Sequence, residues 1–556
     1  MTHQTRLNSS LRRNLTACLA VAVLMIGARS TLADVFSGTV VSVSGSTGQI
    51  VVKSTTKGIN RSFQLSRSAR ISLDGKSSFL SSIKPGQTVS VFATGTSATR
   101  LIVRTSKEES TPPPGKIGTA GPGTTNPEKP TTTPDEPTTK TPRPSRTPSR
   151  TTTAPPRDTS TESGPVTLGW TQYRGPNRDN KSLDRGLLTS WGPTGPQPAW
   201  MATELGVGYS SVALAHGKVY TQGNIGQDEM IIAVDGGTGE RAWATRSGNG
   251  FREGAGDGPR GTPTIDGDRL YALGANGDLV CLDAQTGRVA WQKNILSEFG
   301  GSNIQWGISE SVLVDGDKVI CTPGGSRATI VALNKMTGAP VWTASVPGNP
   351  SAGYASPIVC EVGGVRQYVN FVSSGVVGVR ARDGEVMWGQ RESSNGTANC
   401  SSQVFFNNTI FSASGYGTGG ALFRLSSRSG ATSSQLGWQT RSMKNHHGGM
   451  VEVDGFLYGC DEQVLTCINL RTGDVAWQSR SVGKGSVTFA DGHLYVRSEQ
   501  GPVALVEANP QRYVEKGRFD QPQRSNRQSW AHPVVADGKL FLRDQDRLLV
   551  YNLRAD

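Results

Sequence analysis

Residues 282–291 read LDAQTGRVAW, and the same ten-residue pattern returns at equal length as VDGGTGERAW (234–243), LNKMTGAPVW (333–342), VRARDGEVMW (379–388) and INLRTGDVAW (468–477). A looser copy ends at Trp438 after Ser429-Gly430. The Thr-Gly or Asp-Gly pair makes a tight turn, because Gly tolerates positive φ. The Trp then falls on the strand that follows. A second pair recurs upstream, at His216-Gly217, Asp266-Gly267, Asp315-Gly316, Asp454-Gly455, Asp491-Gly492 and Asp537-Gly538. Runs such as Lys218-Val-Tyr and His493-Leu-Tyr come directly after it. Self-similarity at a fixed period marks a repeat architecture.

Each unit reads strand, Asx-Gly turn, strand, loop, strand, Thr-Gly turn, and a final strand carrying the Trp. Four antiparallel strands in roughly 35–50 residues make a β-propeller blade. The spacing predicts an all-β fold with eight such units, starting near Tyr209, Arg260, Ser309, Tyr354, Ser401, His447, Gly485 and Trp530. The last unit lacks a Trp strand, whereas Trp200 precedes the first unit without partners. Ring closure is therefore expected to lay the Trp200 strand beside the final strand and hide exposed edges. The repeated Trp side chains are expected to pack between neighbouring blades.

Outward from the repeats, the 556-residue chain divides by composition. Residues 1–33 place Arg6, Arg12 and Arg13 before an apolar run starting at Leu15, then small residues, the pattern of a secretory signal peptide. That run is too short to span a bilayer. Residues 34–105 alternate apolar and polar in six short runs, which predicts a small β domain closed like a barrel. Residues 106–165 hold 14 of the 30 Pro and 16 Thr, and read as a disordered stalk. Residues 166–556 are the repeat domain.

The net charge of +13 is concentrated early: residues 34–105 set nine Lys or Arg against two Asp, while the repeat domain is nearly balanced. The basic part has no Trp or Tyr to stack on bases, so no nucleic-acid partner is expected. Apart from Cys18, the cysteines (Cys281, Cys321, Cys360, Cys400, Cys460, Cys467) all fall in the repeats, with no CxxC pair. Export permits disulfides. Cys460 and Cys467 sit on successive expected strands and could pair, or serve as small buried apolar side chains.

The repeat window resembles that of the pyrroloquinoline quinone (PQQ) repeat propellers, which include quinoprotein alcohol dehydrogenases and the outer-membrane assembly lipoprotein BamB. WTQYRGPNRD at 170–179, GANGD at 274–278, GYGTGG at 415–420, NHHGG at 445–449 and Ala531-His-Pro533 bring it nearer to exported members common in planctomycete bacteria. The resemblance implies an eight-bladed propeller located in the periplasm, the cell envelope or outside the cell. It leaves activity open, because the superfamily holds both enzymes and binding scaffolds.

In a propeller the residues entering each inner strand gather at one mouth of the channel. That argument nominates Tyr209, Arg260, Glu310, Tyr354, Asn399, Asn445, His446, His447, Lys484, Trp530 and His532 as ligand-binding residues. The group could be a solvated channel mouth, a pocket for an anionic or sugar-like ligand, or a metal site built from His446, His447, His532 and Glu310. The acidic turns Asp544-Gln-Asp546 and Asp461-Glu462 read as solvated loop carboxylates. The preferred reading is a non-enzymatic binding or scaffold protein without a cofactor, whose partner is an envelope protein or a polysaccharide. The alternative is a PQQ-dependent oxidoreductase of an alcohol or sugar. It would need PQQ, calcium and a catalytic Asp, and the sequence offers Glu310 and Asn399 as calcium ligands by type but no Asp at an inner-strand start.

Overall fold

The computed structural model describes residues 34–104, apart from 45–47, 55–58, 74–75, 78–79 and 95, and residues 169–555. The expected signal peptide and stalk lie outside the described residues. The chain divides into two compact units, Met1–Thr152 and Thr153–Asp556. No helix among the described residues is long and apolar enough to cross a membrane.

In the first unit the strands pair in the order Gln49–Ser54, Asp34–Ser44, Thr88–Thr94, Ser97–Arg104, Asn60–Leu73 and Lys76–Ser77. Gln49–Ser54 also pairs with Asn60–Leu73, so the chain of pairings returns to its start. The alternation seen in the sequence puts Ile50, Val52, Phe63, Val89, Val91, Leu101 and Val103 inside. Two of the expected runs, around Phe63 and Ile71, are one strand. Its pairing with Ser97–Arg104 shifts register between Leu65 and Arg70, which absorbs the break in the pattern.

The second unit holds eight four-stranded antiparallel sheets among the described residues. The first comprises Ala213–Ala215, Lys218–Ile225, Asp228–Asp235 and Arg241–Asn249. The eighth comprises Val534–Ala536, Lys539–Asp544, Arg547–Asn552 and, from the other end of the unit, Pro198–Ala202. Trp200 lies opposite Val550, so the closure expected from the sequence is present.

The Thr-Gly…Trp pattern has a direct packing cause. Asp235 Oδ1 accepts from the Gly237 and Thr238 amides, and Asp283 Oδ1 accepts from those of Gln285 and Thr286, which fixes each turn. The indole of one sheet then lies on the turn glycine of the next. A Cβ added at Gly287 would sit 2.7 Å from the Trp243 ring, and one at Gly338 would sit 2.9 Å from Trp291. Each indole N–H caps a carbonyl of that same turn: Trp243 on Ala284 at 3.1 Å, Trp291 on Lys335 at 3.0 Å and Trp342 on Ala381 at 3.1 Å. The glycine is thus required twice, for its positive φ and for its missing side chain. Trp388 departs from the rule and donates to Gln367 Oε1 at 2.7 Å within its own sheet.

At the hub, hydrogen bonds link each sheet to the next. The amides of Ser211, Thr262, Ser311 and Ser356 donate in turn to the hydroxyls of Thr262, Ser311, Ser356 and Ser402, at 2.8–3.2 Å. Ser401 Oγ then donates to Asn445 Oδ1, the Val487 amide to the Gly448 carbonyl, and Thr488 Oγ1 to the Pro533 carbonyl. Ser211 Oγ reaches the His532 carbonyl at 2.9 Å and completes the circuit.

The WTQYRGPNRD segment threads this hub. The carbonyls of Trp170 and Thr171 accept from Leu214 and Ile265 in the first two sheets. Arg174 donates to the carbonyls of Gln403 and Met450, at 3.1 and 2.8 Å, and Arg178 to those of Val312 and Ser311, at 3.0 and 2.6 Å. The Asn180 carbonyl accepts from Phe489 in the seventh sheet. Both guanidinium groups are buried. They are tolerated because backbone oxygens take donors on their terminal nitrogens, although each Nε is buried without a partner. Burial still depresses both, Arg178 to about 10.

The six cysteines of this unit are free. Cys460 lies opposite Leu465, and Cys467 opposite Tyr458, so the hairpin does not bring the two thiols face to face. The acidic turns are solvated only in part: Glu462 is exposed and Asp546 half-buried, while the other two carboxylates depart from the expectation. Asp544 is buried and accepts from Gln521 Nε2 and the Ser525 amide, and Asp461 pairs with Lys444 at 2.9 Å.

Candidate functional site

Seven of the eight inner strands begin three or four residues later than the sequence reading placed them, for example at Ala213, Thr264, Leu313 and Ile358, and the seventh begins at Gly485 as expected. The nominated residues therefore sit on the segments leading into the strands. Tyr209, Arg260, Tyr354, His446, His447, Trp530 and His532 line one cavity of about 270 Å³, together with Tyr173, Trp306, Cys400 and Tyr416. Tyr173 belongs to the threading segment, so the protein's own chain contributes to the wall of the cup.

One wall is a continuous stack of rings. Tyr416 meets His446 edge-on at 4.7 Å, His446 lies on His447 at 3.6 Å, His447 on Trp530 at 4.6 Å, and Trp530 on Tyr209 at 4.5 Å. The Arg260 guanidinium ends the stack, 5.4 Å from the Tyr209 ring. Trp306 and Tyr354 form a further pair at 5.6 Å.

The imidazoles are held neutral. Burial, followed by the neighbouring His447 and Lys484, lowers His446 to about 2. Burial likewise lowers His447, and lowers His532 to about 4. Lys484 Nζ donates to His446 Nδ1 at 2.8 Å, so the ring hydrogen is on Nε2, which donates to the Tyr416 hydroxyl at 3.0 Å. His447 Nδ1 faces Glu499 at 3.2 Å, and Lys484 also reaches Glu499 at 3.2 Å. Burial pushes the Glu499 carboxyl upward, but His447 and Lys484 outweigh it and leave it below the usual range. His532 Nε2 donates to the His447 carbonyl at 2.8 Å.

The linking hydroxyls of Thr262, Ser311 and Ser356 also line the cavity. Each accepts an amide from the preceding sheet, and its own hydrogen has no acceptor among the described residues. Trp530 Nε1 is likewise buried without a partner. The lining contains no carboxylate.

Four nominated residues fall behind the cavity wall. Glu310 is buried with Asn370 Nδ2 at 3.4 Å, and burial raises it to about 8 against the opposing pull of Thr322 and Arg178. Asn399 accepts from the Asn395 amide and donates to the Val372 carbonyl, which fixes its loop. Asn445 holds the carbonyls of Gly449 and Cys460. Lys484 backs His446. The metal set considered from sequence is not assembled: His446 and His447 come together with Cys400, their ligand-type atoms within 4.8 Å of one another, and Glu310 is not in the group. Stacked imidazoles aim their lone pairs side by side, and the Lys484 ammonium lies against one of them. That geometry suits a cation poorly.

Sequence reasoning missed Tyr173, Trp306, Tyr416 and Cys400. Tyr173 and Tyr416 lie in motifs it had quoted, at 170–179 and 415–420. Trp306 lies outside the repeat window and in none of the quoted motifs.

A family profile described as "Outer membrane protein assembly factor BamB" matches residues 182–307, 227–479 and 461–556. A BamB of Kangiella koreensis is 32% identical over 82 residues, which is 15% of this chain and 18% of the relative's length, so the chain spans less than a fifth of that relative. Among solved structures, BamB of Moraxella catarrhalis aligns over 62% of this chain and 95% of its own, at 15% identity and a TM-score of 0.46. The quinohemoprotein alcohol dehydrogenase of Comamonas testosteroni aligns over 70% and 81%, at 13% identity and a TM-score of 0.50. Likeness at that identity concerns the fold alone.

Proposed function

The chain belongs to the PQQ-like β-propeller repeat family of the outer membrane protein assembly factor BamB, and from that premise we propose that it is an exported binding or scaffold protein of the cell envelope. On this reading its eight sheets are the blades of one propeller, and the cup at the hub receives a ligand or part of a partner, either an envelope protein or a polysaccharide. The small basic domain at 34–105, barrel-like on this reading, would hold the protein to an acidic surface polymer, and that attachment weakens with salt.

The observation that carries the proposal is the cup itself. It combines stacked aromatic walls, unpartnered hydroxyl donors and neutral imidazoles, and no carboxylate faces into it. A few placed polar groups in a mostly apolar concavity are what small-molecule recognition requires. Alcohol oxidation on a quinone needs a base at the substrate hydroxyl, and calcium needs several oxygen ligands. Glu310 and Asn399, the ligands suggested by sequence, lie behind the wall: one Glu310 oxygen faces Asn370 and the other is buried without a partner, and Asn399 is bonded to backbone groups. The donor set does not fit PQQ with calcium.

The test is to add PQQ and Ca²⁺, record the absorption spectrum and assay dye-linked oxidation of alcohols and sugars. The expected result is no turnover. Turnover abolished by Glu310→Gln would overturn the scaffold reading.

A further inference from the structure

Resting on the reading of the cup as a binding site, we infer that its ligand is the terminal unit of an uncharged glycan, inserted end-on. The groups left unsatisfied decide the class. Thr262 Oγ1, Ser311 Oγ and Ser356 Oγ each accept from a neighbouring amide, and none of the three donates its own hydrogen to an acceptor among the described residues. Trp530 Nε1 adds a buried donor. The ligand must therefore present several acceptor oxygens around a compact body. The ring stack supplies flat faces of the kind on which the C–H side of a sugar ring packs. Together, these features match a hydroxylated ring better than a purely apolar or purely ionic molecule.

The charge follows from how the cations are used. Arg260 donates through Nη1 to the Gly258 carbonyl and through Nη2 to the Gly256 carbonyl, both at 2.8 Å. Lys484 is held between Glu499 and His446 Nδ1. A uronic acid or a sulfated sugar would meet only one cation in the lining, Arg260, whose two terminal nitrogens are already turned to backbone carbonyls, so its desolvation would be offset only in part. Size then sets the mode of entry. A cavity of about 270 Å³ lies just under the ~300–1,000 Å³ of drug-sized sites, so it admits one or two rings and not a chain passing through.

The experiment is a printed array of neutral and acidic oligosaccharides probed with the full mature chain, followed by titration of the best neutral trisaccharide and of its longer homologues. Neutral glycans should bind, with affinity independent of length beyond the terminal units. Trp306→Ala should weaken binding by about tenfold and Trp530→Phe, which keeps a ring and removes the N–H, by a smaller factor of about three to ten. Unchanged melting temperatures would show that both variants are folded. Binding of acidic glycans alone overturns the inference and leaves the cup as a binding site. So does an absence of glycan binding while Trp306→Ala abolishes capture of an envelope protein. Glycan binding that is the same in wild type and both variants overturns the inference and the cup reading together.

Discussion

The indole Nε1 of Trp200 donates to the carbonyl of Gly236 at 3.2 Å, and a Cβ placed on Gly239 would stand 2.5 Å from the same indole. The junction between the eighth sheet and the first is thus built like the internal ones, by a Trp and a turn 36 positions apart, while the pairing of Trp200 with Val550 ties the two ends of the unit together. Trp200→Ala should cost stability toward the lower end of the ~3–5 kcal/mol typical of Trp truncation, since the ring is half-buried. Urea denaturation checks the loss, and limited proteolysis should show earlier cleavage near residue 198.

Gly239 and Gly217 both have positive φ, at 78° and 71°, but only Gly239 faces a neighbour, and Gly217 faces open space. Ala at either position carries the backbone penalty of about 1–2 kcal/mol. Gly239→Ala should be worse than Gly217→Ala by more than 1 kcal/mol, of the order of an overpacking cost. The difference between their unfolding free energies isolates the indole contact.

Glu310 carries a pH signature. Its folded pKa of about 8 lies above the ordinary 4.5, chiefly through burial. The folded state therefore holds a proton that the unfolded state releases. The stability it contributes is full below about pH 4.5 and is lost as pH rises through 8. Glu310→Gln should flatten the fall in melting temperature between pH 5 and 9 and raise it most at the alkaline end. An unchanged slope would contradict the assignment.

Arg174 joins the fifth and sixth sheets through the carbonyls of Gln403 and Met450. Arg174→Ala would leave both oxygens buried and unpaired, at roughly 1–3 kcal/mol each. A lower melting temperature is expected, with faster amide hydrogen exchange around residues 403 and 450. A variant as stable as wild type would mean that the segment merely occupies the hub.

The thiols should be inert. Burial raises Cys400, Cys460 and Cys467 to about 12. A thiolate-seeking reagent should modify none of them in the native protein within minutes, and the six cysteines of the repeats should all react in denaturant. Finding a 460–467 disulfide by mass spectrometry would contradict the hairpin register.

The ring was legible because its cause is local and repeated. Asp283, Thr286 and Gly287 must keep their spacing for the turn to form and for Trp243 of the preceding sheet to lie on it, as Trp291 in turn lies on Gly338, and that demand recurs in other copies. The gathering of His446, His447, Trp530 and Tyr209 also followed from topology, once the strand starts were read. Glu310 and Asn399 misled for a simple reason. Position along an inner segment places a residue at the hub but does not say which way its side chain turns, and neighbours such as Asn370 and Val372 lie far off in the chain. Arg174 and Arg178 were invisible for the same reason. Their partners are backbone carbonyls 133 to 276 positions away, and carbonyls leave no mark in an amino-acid sequence.

The threading of residues 170–182 also couples distant sheets to the cup. Tyr173, part of its wall, stands next to Arg174, which is bonded to the fifth and sixth sheets, and five positions from Arg178, which is bonded to the third. A shift of any of these sheets is therefore felt at the cup through one short run of chain.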